Sequence, residues 1–310
     1  MATPEGGMRL ATRAPFHLEA TVRILQRRPT NAVDVWDEER YLRVLSTPGG
    51  LALVEVADHR TIDDPEVGFR VLRGPRSVVT AAEIARILRK MLGLDVDPRP
   101  LQRLVESERR LGAIAARLRG MRPPRFADLF EAFANVIPFQ QVSLDAGIAI
   151  VRRLVERFGT PLDHAGRRHH AFPDPREIAG ARLAAIRACG LSQKKAEALR
   201  HAARTIAAGD LTEEELLRMT SADAIRRLTE MPGIGPWSAS LVLLRGLGRL
   251  DVFPAGDVGA TRGLSRLLRL PPGPSLDRAI ARSGDRRGYL YFCALGSALL
   301  ARDLICSAPG

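Results

Sequence analysis

Two short stretches of this chain combine residue types that could do chemistry. In MPGIGPW, residues 231–237, Gly233 and Gly235 carry no side chains, and Pro236 suits the first turn of a helix, where its missing N–H costs nothing. The stretch predicts a hairpin between two helices, with uncovered N–H groups at the positive end of the second helix, which is an arrangement that binds phosphate. The second stretch, FPAGD, places Asp257 22 residues after Gly235.

Both stretches have a purely structural alternative. Any hairpin of two helices can use Pro and Gly, and Asp257 is a good cap for the helix predicted in VGATRGLSRLLRL. The whole arrangement favours a phosphate site, because apolar Met231 precedes the hairpin, Ile234 is expected to point inward, and small residues that permit close helix packing follow it. The predicted phosphate-binding residues are Gly233, Ile234, Gly235 and Ser238.

Charge points in the same direction without deciding it. The 310 residues include 47 Lys and Arg against 35 Asp and Glu, which gives a net charge of +12. Such an excess favours a polyanionic partner, and binding would then weaken steeply with salt. An Arg-rich composition inherited from a GC-rich genome explains the same numbers, so the charge leaves the partner open.

Cysteines, histidines and the N-terminus narrow the class of protein. Cys189, Cys293 and Cys306 are widely spaced, so neither a disulfide frame nor a thiolate metal site is indicated. His164, His169 and His170 lie in an Arg-rich stretch without the spacing of a ligand set, and a solvated loop is expected there. No apolar run is long enough for a signal peptide or a membrane span, so we expect a soluble, cytoplasmic protein.

The elements that must position these residues indicate an α+β fold. Residues 1–14 are expected to be disordered, and residues 15–98 to form a small antiparallel sheet with one helix. FHLEATVRIL, RYLRVLSTPGGLALVEV and EVGFRVLRG predict its strands, and TAAEIARILRKMLGL predicts its amphipathic helix. From residue 99 to 310 helical periodicity takes over, and we predict an all-α domain.

The two stretches together resemble a known family. LTEMPGIGPWSA is similar to the hairpin of the helix-hairpin-helix DNA glycosylases, the HhH-GPD superfamily, and DVFPAGD resembles the loop that ends in their catalytic aspartate. The likeness is greatest to bacterial 3-methyladenine DNA glycosylases of the AlkA type. It continues upstream through FADLFEAFANVIPFQQVSLDAGIAIVRRLVERFG, FPDPREIAG and GLSQKKAEALRHAARTIAAGDL, and so covers roughly residues 125–305.

The resemblance implies roles for single residues. Asp257 falls on the catalytic carboxylate, which would stabilise the positive charge that builds on the sugar and orient the attacking water. Trp237 occupies the position at which bifunctional relatives carry a lysine that attacks the sugar, and an indole cannot form a Schiff base. Trp237 is instead expected to stack on the extruded base, with a core tryptophan as the alternative.

Further pocket and DNA contacts follow from the same resemblance. Gln140 and Gln141 match the QQVS segment, whose second position fills the gap left by a flipped nucleotide. Two departures from the family stand in this region. Phe139 replaces a small residue and would narrow or line the pocket, and Leu295 stands where an aromatic is usual. The predicted pocket residues are Trp237, Phe139, Tyr289, Phe292 and Leu295, with Tyr289 and Phe292 alternatively in the core.

The family also implies little need for bound groups. The four-cysteine run that holds an iron–sulfur cluster in the endonuclease III relatives is missing, so no cofactor is expected. Backbone carbonyls of Thr229, Met231 and Ile234 match positions that can hold a Na⁺ or K⁺ ion bridging to a DNA phosphate.

The predicted activity is that of a monofunctional DNA glycosylase. It would act as a monomer on duplex DNA with damaged bases and remove alkylated purines during base excision repair. The alternatives are a glycosylase for deaminated or oxidised bases and a non-catalytic DNA-binding protein. Asp257 argues against a pure binder, because a carboxylate beside phosphate repels it.

Overall fold

The N-terminal part of the computed structural model, which describes residues 7–306, is an antiparallel sheet of five strands. Its strands are β1 (Met8–Leu10), β2 (Val35–Asp37), β3 (Arg40–Thr47), β4 (Gly50–Asp58) and β5 (Val67–Arg73). Their order across the sheet is β1-β5-β4-β3-β2. The predicted turn joins β3 to β4, where Thr47 pairs with Gly50 and Gly50 has a φ of 115° that suits glycine. The predicted α+β fold class is confirmed.

Two N-terminal predictions need correction. Of the segment expected to be disordered, residues 1–6 lie outside the described residues, but Met8–Leu10 forms β1 and pairs with β5. The stretch FHLEATVRIL is not a strand, because Leu18–Gln26 forms helix α1. Seven of the nine α1 residues are buried, and the other two, Glu19 and Arg23, stand at i,i+4 spacing and form an ion pair on one face of the helix. The alternation of apolar and polar residues in this short stretch fits a strand as well, and the strand was the wrong choice.

Helix α2 (Val78–Leu92) covers the sheet as predicted. Ser77 caps its start by accepting a hydrogen bond from the Thr80 N–H, and Gly93 ends it in the left-handed region. Ile84, Leu88 and Leu92 are fully buried on its inner face. Their burial confirms the amphipathic pattern that the sequence showed.

The rest of the chain is mostly helical. Its helices are α3 (Arg99–Ser107), α4 (Gly112–Arg117), α5 (Leu129–Ala134), α6 (Leu144–Phe158), α7 (Pro175–Gly180), α8 (Leu183–Arg187), α9 (Gln193–Ala208), α10 (Glu213–Arg218), α11 (Ser221–Thr229), α12 (Pro236–Val242), α13 (Val258–Leu268), α14 (Pro274–Arg282) and α15 (Arg287–Leu300). Short 3₁₀ turns lie at Arg109–Leu111, Ile137–Phe139 and Gly284–Arg286, and α12 runs into a π-helical turn at Leu243–Leu247. None of the helices within residues 7–306 is long and apolar enough to cross a membrane.

An all-α domain was predicted for this part of the chain, but the structure contains two strands there. The Arg- and His-rich stretch forms a two-stranded hairpin of β6 (Pro161–His164) and β7 (Arg167–His170). The hairpin contacts the N-terminal sheet through an isolated β-bridge between Val44 and Ala171 and through an ion pair between Arg167 and Asp37. Contact with a sheet edge offers its backbone partners that a solvated loop lacks.

A buried ion network joins the sheet to the helical part. Arg43 on β3 is almost fully buried, and its guanidinium pairs with Asp34 at 2.5 Å and with Glu131 on α5. Tyr41 donates a hydrogen bond of 2.6 Å to the same Asp34 carboxylate. One apolar core also runs through both parts, with Tyr41 and Phe133 among its members. The two predicted domains therefore share a core, and their boundary stays a prediction.

Candidate active site

The predicted hairpin lies between α11 and α12. Met231 and Ile234 are each 5% exposed and anchor the turn in the core, where the Ile234 N–H donates to the Met231 carbonyl at 3.1 Å. Gly233 has a φ of 78°, and a Cβ there would come within 2.7 Å of the Ala198 Cβ on α9. Glycine is thus required at 233 by both conformation and space. Gly235 precedes α12 without a side-chain cap, and the Ile234 N–H is already used inside the turn, so phosphate binding by the backbone of this hairpin stays a prediction.

Asp257 lies beside this hairpin and is held at both carboxylate oxygens. Its Oδ1 accepts the Ala260 N–H at 2.8 Å, which makes Asp257 the N-cap of α13. Its Oδ2 accepts a hydrogen bond of 3.1 Å from Trp237 Nε1. Asp257 is therefore a helix cap, as the structural alternative proposed, but capping occupies only its Oδ1 atom. The second oxygen is fixed by a residue of the hairpin, which ties the candidate carboxylate to the candidate phosphate site.

The neighbouring glutamines have different surroundings. Gln140 uses its side-chain amide inside the protein, where Nε2 donates to the Gly233 carbonyl at 2.8 Å and to Ser238 Oγ at 2.9 Å. Gln141 is exposed, has a φ of 54°, and makes no side-chain hydrogen bond within the described part of the chain. Ser238 is only 2% exposed. These contacts contradict two predictions: Gln140 does not have a free side chain to fill a gap in DNA, and the buried Ser238 hydroxyl is not free to bind phosphate. Gln141, in contrast, is exposed.

Two of the predicted pocket residues belong to the core. Phe292 is fully buried against Tyr291, with ring centroids 5.5 Å apart at 87°. Tyr289 is 2% exposed, its hydroxyl donates to the Asp97 carbonyl at 3.5 Å, and burial raises the pKa of Tyr289 to about 12. Helix α15 is buried on nearly every side, so its aromatics had no exposed face to offer a pocket. Leu295 on the same helix is half-buried.

Phe139 is packed between the helical and N-terminal parts. Its ring lies against Gly147 of α6, where an added Cβ would approach it to 2.2 Å. It borders a small apolar cluster that contains Val33 and Val151. The guanidinium of Arg27 covers the ring at 4.3 Å from the centroid. Phe139 thus fills the space between α6 and the residue that ends α1.

Arg27 is a functional candidate that the sequence did not reveal. It follows α1 in the left-handed region, is 7% exposed, and donates to Asn135 Oδ1 at 3.3 Å, while its Nε lacks a partner. Burial, followed by repulsion from Arg245, lowers the pKa of Arg27 to about 10, and Tyr291, Asp34 and Asp257 act in the opposite direction. Arg27 is therefore a buried cation that contacts Asn135 and the Phe139 ring. Two consecutive arginines such as Arg27 and Arg28 normally indicate a solvated surface, so nothing in the sequence indicated that Arg27 is buried.

Exposed valines flank the site residues. Val258, which follows Asp257, is 69% exposed, and Val142, which follows Gln141, is 40% exposed. Apolar side chains in such positions can contact sugars or bases. The predicted Na⁺ or K⁺ ligands are the carbonyls of Thr229, which ends α11, and of Met231 and Ile234 in the hairpin, and that site stays a prediction. Within residues 7–306, His, Cys, Asp and Glu side chains form no group of three that could hold a metal ion.

A solved structure shares this architecture almost completely. The 3-methyladenine DNA glycosylase of Archaeoglobus fulgidus is similar over 95% of this chain and 99% of its own, with a TM-score of 0.76 and 27% sequence identity. The fold is thus that of a helix-hairpin-helix DNA repair glycosylase, with the sheet in front of the helical part.

Family models and relatives make the classification specific. One model, HhH-GPD superfamily base excision DNA repair protein, matches residues 134–283, and another, AlkA N-terminal domain, matches residues 7–128. The chain belongs to the HhH-GPD superfamily of base excision DNA repair proteins. A DNA-3-methyladenine glycosylase of Bacillus subtilis is 30% identical over 64% of this chain and 65% of its own length. A putative DNA-3-methyladenine glycosylase of the same organism is 28% identical over 91% of this chain and 94% of its own.

Proposed function

We propose that this protein is a monofunctional DNA glycosylase that hydrolyses the N-glycosidic bond of alkylated purines in duplex DNA. The observation that carries the proposal is the Asp257 carboxylate, held by Trp237 of the hairpin and by the first turn of α13. A carboxylate fixed at both oxygens is preorganised, so it needs no reorientation when charge develops on the sugar. The names of the relatives support alkylated purines as the substrate class.

In the proposed mechanism, binding energy from the hairpin supports the chemistry at Asp257. The N–H groups that begin α12 bind a phosphate beside the lesion, and Gln141 enters the duplex as the damaged nucleotide leaves it. Trp237 stacks on the extruded base and orients Asp257 through its indole N–H. Bond cleavage builds an oxocarbenium-like sugar, which Asp257 stabilises while water attacks. An alkylated purine is already a good leaving group, so one carboxylate suffices.

The absence of lyase chemistry is proposed from the surroundings of the amines near the hairpin. Trp237 has no amine with which to attack the sugar. Burial lowers the pKa of Lys195, which favours a nucleophile, but its Nζ donates to the carbonyls of Pro138 and Gln140. Lys194 is exposed at the start of α9. Neither lysine contacts Asp257 or Trp237 in the described part of the chain, so we expect no attack on the sugar by an amine and an intact abasic site as the product.

The test is base release from defined duplexes. We would incubate the protein with dimethyl sulfate-treated DNA and with duplexes that contain hypoxanthine or 8-oxoguanine, and identify free bases by chromatography. We expect methylated purines to be released and the abasic strand to remain uncleaved until alkali is added. Release of hypoxanthine or 8-oxoguanine alone would assign a different glycosylase, and release of no base from any duplex would favour a DNA-binding protein without activity.

A further inference from the structure

Gln140 connects the loop before α6 to the hairpin. Its Nε2 has two hydrogens, and both are used, one on the Gly233 carbonyl at 2.8 Å and one on Ser238 Oγ at 2.9 Å. Gly233 belongs to the turn and Ser238 to the first turn of α12. A single amide thus binds both sides of the phosphate-binding hairpin from a segment more than ninety residues away in the chain.

Lys195, near the start of α9, also binds the loop that contains Gln140. Its Nζ donates to the Pro138 carbonyl at 3.2 Å and to the Gln140 carbonyl. Among the described residues 7–306 these two carbonyls, one inside the 3₁₀ turn and one at the residue that follows it, are the partners of the Lys195 ammonium group. Helix α9 also contacts the hairpin directly where Ala198 faces Gly233. The loop, the hairpin and the start of α9 are therefore joined into one unit.

Gln141 follows these fixed points with an unusual backbone. A non-glycine residue at a φ of 54° is disfavoured, and such a conformation persists when the surrounding structure holds it. The hydrogen bond from Lys195 Nζ to the Gln140 carbonyl helps to keep Gln141 in this conformation. The strained residue is the exposed one, whose side chain has no partner within the described part of the chain.

We infer that Gln140 and Lys195 form a clamp that sets the position of Gln141 relative to the hairpin. When the hairpin binds a phosphate, the clamp places Gln141 at a fixed depth in the duplex, so that phosphate binding drives extrusion of the base. Gln140 and Lys195 are positioning residues in this scheme, and neither takes part in bond cleavage. The inference rests on the proposed function, since it concerns how the substrate reaches Asp257.

The test compares a lesion that must be extruded with one that is already unpaired. Single-turnover release of 7-methylguanine would be measured opposite cytosine and opposite a tetrahydrofuran abasic analogue, for wild type, Gln140→Leu and Lys195→Met. We expect each variant to lose about 30-fold in rate on the paired lesion, as two lost hydrogen bonds imply, and to stay within about threefold on the unpaired one. Lys195→Arg should restore the paired rate because it keeps donors in place, and Lys194→Met is the matched exposed control.

Two results would overturn the clamp: equal losses on both substrates, or no loss on the paired lesion. A failure of the proposed function is seen separately, as wild type that releases no base from either duplex. In that case extrusion is measured without catalysis, from the fluorescence of 2-aminopurine in a bound duplex. The clamp predicts a rise with wild type that both variants lose, whereas a rise that both variants retain, or no rise with wild type, contradicts it.

Discussion

Replacing Trp237 with Phe separates the two roles proposed for this side chain. The change removes the Nε1–H that donates to Asp257 Oδ2 at 3.1 Å and keeps an aromatic ring for stacking. Hydrogen bonds to charged groups contribute about 1.5–3 kcal/mol, and because both side chains are partly exposed we expect the lower end, about 1–2 kcal/mol. If the bond orients the carboxylate in the transition state, the excision rate falls about 5- to 30-fold. The loss stays partial because the α13 N–H still holds Oδ1.

Single-turnover excision with Trp237→Phe, Trp237→Ala and Trp36→Phe measures this effect. Trp237→Ala should bind the flipped base more weakly by a further 1–3 kcal/mol or so, the usual cost of lost base–aromatic stacking. Trp36 lies on β2 beneath Arg23 and serves as the matched control, expected to be neutral for excision. A wild-type rate for Trp237→Phe combined with a large loss for Trp237→Ala would refute the orienting role and leave only stacking.

Further predictions concern partner, product and stability. Affinity for undamaged duplex should fall with salt at a log–log slope of about 0.9 per neutralised phosphate, and a flat response in a titration would mean that the +12 charge is compositional. Borohydride should trap no covalent adduct during turnover; an adduct lost in Lys195→Met would instead identify that lysine as a nucleophile. Arg43→Met should lower the free energy of unfolding by about 3–5 kcal/mol, since it leaves the buried carboxylates of Asp34 and Glu131 without their cation. Arg40→Met, which breaks a half-exposed pair with Glu55, should cost less than about 1 kcal/mol in the same denaturation experiment.

The parts of the site that local chemistry determines could be predicted from the sequence. Proline and glycine specify the hairpin around Gly233 through the dihedral angles they allow, and Asp257 before an apolar helix reads as a cap. The strands on either side of the Thr47–Gly50 turn were predictable for the same reason. Each of these features depends on a few consecutive residues.

The parts that depend on distant contacts could not be predicted. Helix α1 has only nine residues, and over so short a stretch an alternating apolar pattern fits a strand as well as one face of a helix. Tyr289 had the chemistry of a pocket residue, and only the packing of α15 shows that it lies in the core. The contacts of Gln140 with the hairpin and of Arg27 with Asn135 join residues about a hundred positions apart, so no local pattern records them.

The central claim, that the Asp257 carboxylate performs the chemistry, is tested most directly by Asp257→Asn. Asparagine keeps the volume and can still cap α13 through Oδ1, so the fold and most of the affinity for lesion duplex should be retained, although its NH₂ group cannot accept the Trp237 N–H. Single-turnover release of methylated purines should fall by at least about 100-fold, since a preorganised charge is lost at the reacting sugar. Asp251→Asn, at an exposed position on the loop before the site, is the control. A rate for Asp257→Asn within about threefold of wild type, equivalent to less than about 1 kcal/mol, would contradict the assignment.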